Sequence, residues 1–200
     1  MPSPSCAGGP RVADSLLAFP ALERIEVVFA GSGGQGLVLA GILLAEAALC
    51  SGRQVLQTQL FNPEMRGGDS RSDVIISTRP IDYLRVYHPE VVVAFTQKAY
   101  DQFAPLLASG GLCLADSGGV TDARGREALR LPLVARARER LGKPILANVV
   151  ALGVLANFLT FITPRHFRSA ISRHVSERFL EQDVKAFEDG LVFHDWEEKE

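Results

Sequence analysis

The chain is short of the residues that carry chemistry by themselves. Among its 200 residues are three cysteines, Cys6, Cys50 and Cys113, odd in number and far apart. They build no disulfide framework, and without a C-x-x-C pair no local cradle exists for zinc or an iron–sulfur cluster. A reducing cytoplasm fits this usage. Each cysteine reads as structural: Cys50 closes an apolar helix and Cys113 lies in an apolar strand. The four histidines, His88, His166, His174 and His194, are equally sparse, and His166 and His174 lack the i, i+4 spacing of a helical metal pair. No G-x-S-x-G elbow occurs, and no Lys-Ser/Thr follows the glycine turn, so serine-hydrolase and P-loop chemistry are both excluded. Neither sign of charge dominates. Lys and Arg number 21 against 23 Asp and Glu, a net charge of −2, and nothing here favours nucleic acid or an anionic membrane.

Long apolar runs are missing too. A membrane span needs about 18 uncharged apolar residues. The nearest approach, Ile145–Ile162, follows a proline and contains Asn148, Gly153, Asn157 and Thr160, so it reads as a short strand and a buried helix. The first 23 residues lack the basic start and apolar run of a signal peptide. They read as a mobile extension with a short helix at Ala13–Phe19 that docks on a partner.

What is present describes an ordinary folded domain. Apolar residues make up 47% and charged residues 22%, and 200 residues suffice for one well-cored unit. The organising stretch is Ile25–Leu49. Ile25–Ala30 is short, β-branched and aromatic, which predicts a strand. Gly31-Ser32-Gly33-Gly34-Gln35-Gly36 is a turn. Leu37–Leu49, apolar nearly all round with Glu46 its only charge, predicts a buried helix. The turn matches G-x-G-x-x-G between strand and helix, the setting of a dinucleotide fingerprint. That fingerprint also needs an acid at the end of the second strand. Gln54–Leu60 offers only Gln57 and Gln59. A stand-alone Rossmann-like nucleotide binder and a tight turn packed on a neighbouring element both remain open.

Further along, Ser51-Gly52 ends the first helix. Strands are expected at Ser72–Thr78, Glu90–Phe95 and Leu112–Ala115, with a helix Gln97–Ala108 capped by Thr96 and interrupted by Pro105. The short link between the second and third strands predicts an antiparallel pair in a mixed sheet. Arg130–Leu133 and Lys143–Leu146 bracket a basic helix, Leu133–Leu141. Asn148–Leu159 is an apolar helix. His166–Phe187 is amphipathic with a break near Val175, and Gly190 is expected to stop it before a frayed DWEEKE tail. The fold class is α/β: a single three-layer α/β/α domain with a Rossmann-like mixed sheet over residues 24–190 and a tail at 191–200. In such sheets ligands and partners meet the carboxyl ends of the strands. The glycine turn, the loop Asn62–Ser70 and the segment Asp116–Gly119 should share that edge. In the loop, Arg66 precedes Gly67 and Gly68. It is suited either to a bidentate anion contact or to a pair with Glu64 or Asp69 that fixes the loop.

Taken together, GSGGQG followed by LVLAGILLAEAA, then QTQLFNPEMRGGDSRSDVIIS, VVVAF, ANVVALG and VKAFEDG, resemble the gamma subunit of 2-oxoacid:ferredoxin oxidoreductases. The QTQ before NPEMRGGDSRS is similar to the 2-oxoglutarate type, with pyruvate and branched-chain 2-oxoacids as alternative substrates. The resemblance implies a multisubunit enzyme that oxidatively decarboxylates a 2-oxoacid, forms its acyl-coenzyme A and reduces ferredoxin, or runs in reverse. It implies thiamine diphosphate, Mg2+, iron–sulfur clusters and coenzyme A in the holoenzyme, none held by this chain. It implies alpha and beta partners, with or without a delta (ferredoxin-like) one, and a cytoplasmic subunit with no catalytic or metal-ligating residue. The family's glycine turn falls on Gly31, Gly33, Gly34, Gln35 and Gly36, and its RGG loop on Arg66, Gly67, Gly68 and Ser70. These are expected to contact a partner subunit, or the coenzyme A or substrate path between subunits.

Overall fold

The computed structural model describes residues 23–61, 68–124 and 127–196. Residues 1–22, which include Cys6 and the helix expected at Ala13–Phe19, and Glu64, Arg66 and Gly67 lie outside these residues. Six strands form one mixed sheet: β1 (Arg24–Ser32), β2 (Gln54–Phe61), β3 (Asp69–Ser77), β4 (Val91–Ala94), β5 (Leu112–Asp116) and β6 (Leu129–Leu131), in the order β2-β3-β1-β4-β5-β6. β3 runs antiparallel to both β1 and β2, while β1, β4, β5 and β6 are parallel. The β2–β3 pairing is the antiparallel hairpin that the short connection predicts.

The central strands are apolar on both faces because both are covered. From β1, Ile25, Val27 and Phe29 join one core with Val74, Ile76, Val91 and Val93. Val28 and Ala30 join another with Val92, Ala94, Cys113 and Ala115. The first core is the larger. It is built on α1 (Leu37–Cys50), α3 (Leu133–Leu141), α4 (Ala147–Ala156), α5 (Pro164–His174) and α6 (Glu177–Leu191). The second is covered mainly by α2 (Gln97–Phe103) through Ala99, Tyr100 and Phe103. Helices therefore lie on both sheet faces, with a thick layer on one side and a single short helix on the other.

Local chemistry sets the helix ends. Thr96 caps α2 by accepting the Ala99 N–H. Pro105 converts the expected last turn of that helix into a 3-10 turn at Ala104–Leu106. At α5, Thr163 and His166 form a capping box with Pro164 in the first turn, which gives His166 a structural task. The break between α5 and α6 falls on Val175 and Ser176, both extended, as the periodicity predicts.

Four expectations change. Gly31 and Ser32 belong to β1 rather than to the turn, paired with Ser70 and Asp69, so β3 begins three residues before the predicted Ser72. Lys143–Leu146 supplies a 3-10 turn, Pro144–Leu146, and not a strand; Pro144 at its start presets helical φ and withholds a ladder donor. Gly190 does not stop α6, which runs to Leu191. It packs into α4 instead: a Cβ there would meet Gly153 Cα at 2.9 Å and overlap the Val150 carbonyl oxygen. The described part of the tail is docked rather than frayed. Trp196 Nε1 donates to the Asp189 carbonyl at 3.1 Å, and the Arg136 guanidinium lies 4.9 Å from the Trp196 ring.

The two described cysteines differ in accessibility. Cys113 is buried in β5, and burial pushes its thiol up to about 12. Cys50 is half-buried at the end of α1, with its Sγ 3.6 Å from the Arg173 guanidinium. Alkylation of the native protein at pH 8 should mark Cys50 and leave Cys113 unlabelled until denaturant is added. Mass spectrometry reads this directly, and equal labelling of both would contradict the burial of β5.

Candidate functional site

The turn Gly33–Gly36 leads from β1 into α1, and its glycines answer to different demands. At Gly31, just before it, a Cβ would meet Phe95 Cβ at 3.0 Å and overlap the Gln35 side-chain oxygen. Gly34 and Gly36 have φ of +86° and +71°, the left-handed region that L side chains rarely adopt. At Gly36 a Cβ would also press on Asn148 of α4, with Cγ only 3.1 Å away. Gly33 is under neither constraint. It is not among the positive-φ glycines, and among the described residues the one atom near its absent Cβ is the Gly68 carbonyl oxygen at 3.4 Å, an ordinary contact. It is also exposed.

The turn is closed by its own atoms and by two neighbours. Gln35 Oε1 accepts the Ser32 N–H at 2.7 Å. Gly33 N–H donates to the Gly68 carbonyl at 2.9 Å, which ties the turn to the end of the RGG loop. Asn148 Nδ2 donates to the Gly36 carbonyl at 2.8 Å, which ties it to α4. α1 starts at this point with Gly36 as its N-cap, which offers no side chain to its first N–H groups.

Beside the turn, on the α2 face, lies a cleft of about 250 Å³ lined by Gly31, Ser70, Arg71, Lys98, Gln102 and Phe103 among others. Each of its cations has its own carboxylate. Lys98 Nζ lies 2.5 Å from Asp69, and Arg71 Nε lies 2.5 Å from Asp73 with its guanidinium 4.6 Å from the Phe103 ring centre. Burial pushes the Asp73 carboxyl above its ordinary range, and Arg71 opposes that rise. The wall is thus locally neutral: a mixed polar and aromatic surface rather than an anion trap.

Gly31, Gly33, Gly34, Gln35 and Gly36 therefore meet Gly68 and Ser70 at the carboxyl end of β1. Asp116–Gly119 lies on the same carboxyl edge, as expected, two strand positions away across β4. Asp116 is buried and already committed: Oδ1 accepts the Val134 N–H at 2.9 Å and Oδ2 the Gly119 N–H at 2.9 Å. The sheet order also disposes of the dinucleotide geometry. β3 intervenes between β1 and β2, so β2 lies about 10 Å from β1, one strand spacing beyond the place of an acid that would hold the ribose. Gln57 is turned to the α1 face, where it bonds Ser72 Oγ at 2.9 Å. The sequence reading missed Lys98, Gln102 and Asn148. Of these only Asn148 left a signal, as one of two amides, with Asn157, in an apolar run.

Among the described residues no helix is long and apolar enough to cross a membrane. Likewise, no three His, Cys, Asp or Glu side chains gather as a metal site requires.

Residues 26–193 match the family described as pyruvate ferredoxin/flavodoxin oxidoreductase. The chain is 36% identical over 172 residues to 2-oxoglutarate synthase subunit KorC of Methanocaldococcus jannaschii, which covers 84% of this chain and 92% of that one. It is 35% identical over 175 residues to ketoisovalerate oxidoreductase subunit VorA of Methanothermobacter thermautotrophicus, covering 86% of this chain but 36% of that longer one. Among solved structures, the gamma subunit of a keto/oxoacid ferredoxin oxidoreductase from Geobacter sulfurreducens superposes with a TM-score of 0.76 at 36% identity, over 85% of this chain and 95% of that one. The α/β fold with its interposed antiparallel β3, the glycine turn laced to the RGG end and these matches over most of the chain agree: the chain belongs to the pyruvate ferredoxin/flavodoxin oxidoreductase family, as a gamma-type subunit.

Proposed function

We propose that this chain is the gamma subunit of a multisubunit 2-oxoacid:ferredoxin oxidoreductase of the 2-oxoglutarate type. It docks against the subunits that carry the chemistry and is inactive alone. The observation that carries this reading is the match over 92% of a subunit named for 2-oxoglutarate synthase. The match to about a third of VorA supports the docking role, because there the same unit is one part of a longer polypeptide.

The site supports a contact role as well. Among the described residues it pairs no nucleophile with a base, and Lys98 and Arg71 are each paired with a carboxylate. On the family resemblance, thiamine diphosphate, Mg2+ and the clusters belong to the alpha, beta and delta-type partners, and the enzyme works in the cytoplasm. The proposed contact surface is the exposed tip Gly33–Gly34 with Gly68, backed by Ser70, which is buried in β3; the resemblance adds Arg66 and Gly67. Gly33 is the informative member. The described residues make no demand for glycine there, which supports reading the absent side chain as room for an approach from outside, by a partner backbone or by coenzyme A between subunits.

Substitution at Gly33 separates fold from contact. Gly33→Ala and the bulkier Gly33→Leu should leave the urea midpoint of the isolated chain within about 0.5 kcal/mol of wild type. In cells co-expressing the partner subunits, Gly33→Leu should lower coenzyme-A-dependent viologen reduction about tenfold, a loss of one well-placed contact of about 1.4 kcal/mol. Full activity of the Gly33→Leu complex would remove the turn from the contact surface.

A further inference from the structure

We infer that Asn148 is a positioning residue for the glycine turn: α4 sets the attitude of the Gly33–Gly34 tip through the amide of Asn148. This rests on the subunit reading above.

α4 is ten residues long and every one of them is buried. Asn148 is the only polar side chain among them, at 2% exposure, placed where an apolar residue would satisfy the core. A buried amide persists only if its hydrogen bonds are met. Its Nδ2 reaches across 112 residues of sequence to the Gly36 carbonyl at 2.8 Å, while its Oδ1 accepts the Val149 N–H at 2.9 Å. The Gly36 carbonyl does not need this bond, because the Ala40 N–H already donates to it at 3.0 Å within α1. The Asn148 bond is therefore a second bond to a satisfied acceptor. It adds direction rather than relief of a burial penalty.

What it directs is the joint between turn and helix. Gly36 holds φ of +71° with the Asn148 amide filling the space where its Cβ would stand, so turn and amide fit as one piece. From Gly36 the constraint runs through Gln35, which holds the Ser32 N–H, and through Gly33, which holds the Gly68 carbonyl. α4 is a firm base for this purpose: its Gly153 lies against Gly190 of α6 with no room for a Cβ on either.

Two near-isosteric replacements test the inference in the whole chain and in the assembled complex. Asn148→Leu keeps the branched shape, with methyl groups somewhat larger than the amide, and removes the donor. Asn148→Asp keeps the shape and sets an acceptor against the Gly36 carbonyl. Amide exchange at Gly33–Val38 should speed up about five- to tenfold in Asn148→Leu, with amides of β1, β4 and β5 unchanged, the scale of one net hydrogen bond. The complex containing Asn148→Leu should still copurify with its partners, with turnover per complex lowered about fivefold. Asn148→Asp should be worse on both counts. Unchanged exchange at the turn, or turnover per complex equal to wild type despite faster exchange, would overturn the positioning role. Wild-type chain that fails to bring down partners would count against the subunit reading instead, so the two failures are distinguishable.

Discussion

Gly190→Val should lower the stability of the chain by about 3 kcal/mol, the upper end of the usual cost of overpacking a filled core. α4 and α6 cross backbone to backbone. A Cβ on Gly190 would lie 2.9 Å from Gly153 Cα and 3.0 Å from the Val150 carbonyl carbon, and would overlap the carbonyl oxygen itself. These are backbone atoms of a fully buried helix, and no flexible side chain can yield. Alanine at Gly190 gains about 1 kcal/mol of helix propensity over glycine, which the overlap exceeds. Gly190→Ala should therefore still destabilise, by less than valine does. Gly153→Ala should cost a similar amount, because its Cβ would overlap the Phe187 carbonyl oxygen at the same crossing. The double alanine variant should fall short of the sum, since the helices need separate only once. Gly142→Ala is the control: φ is +69° but nothing lies within 4 Å of its Cβ, so only the left-handed strain of about 1–2 kcal/mol applies. The urea midpoint at constant slope reads all of these.

Asp116→Ala should cost about 3 kcal/mol by another route. The carboxylate is 3% exposed and takes two N–H groups, one at the head of α3 and one in the turn after β5. Hydrogen bonds to a charged acceptor are worth about 1.5–3 kcal/mol each, and a buried donor left unpaired carries its own penalty. The Gly119 N–H keeps a partner in the Asp116 backbone carbonyl at 3.1 Å. The loss thus concentrates on Val134 N–H and on the favourable charge at the α3 N-terminus. Asp116→Asn retains one acceptor and should lose about half as much. Such results would place Asp116 in the architecture of the sheet edge and away from any contact with substrate or partner.

Much of the architecture was legible in the chain because its signals are local. The continuous apolar runs within Glu90–Phe95 and at Leu112–Ala115 read as strands buried on both faces. The apolar stretch Leu37–Leu49 reads as a buried helix, and Val175 breaks the amphipathic run where the period shifts. What escaped depends on partners distant in sequence. Gly31 and Ser32 look like turn residues by composition and become strand because Ser70 and Asp69 pair with them. Gly190 looks like a helix stop, and only the approach of α4 reveals it as a crossing point. Pro144–Leu146 has strand-like residues but finds no ladder. The site divides in the same way. The glycine turn and the RGG end were readable as motifs, and their union at Gly33–Gly68 was foreseeable from the sheet edge they share. Lys98 and Gln102 carry no motif. Asn148 was visible as an exception to an apolar run, but its target at Gly36 is set by tertiary packing alone. The RGG arginine, Arg66, falls outside the described residues, so its role rests on the resemblance.

The most direct test of the subunit reading is an anoxic affinity purification of this chain with its native partners. The eluate is assayed for coenzyme-A-dependent viologen reduction with 2-oxoglutarate, pyruvate and branched-chain 2-oxoacids in turn. The account predicts brown partner subunits in the eluate, activity strongest with 2-oxoglutarate, and none from the chain alone. A colourless chain that comes down by itself, inactive with every 2-oxoacid and stabilised by an adenine dinucleotide, would contradict it.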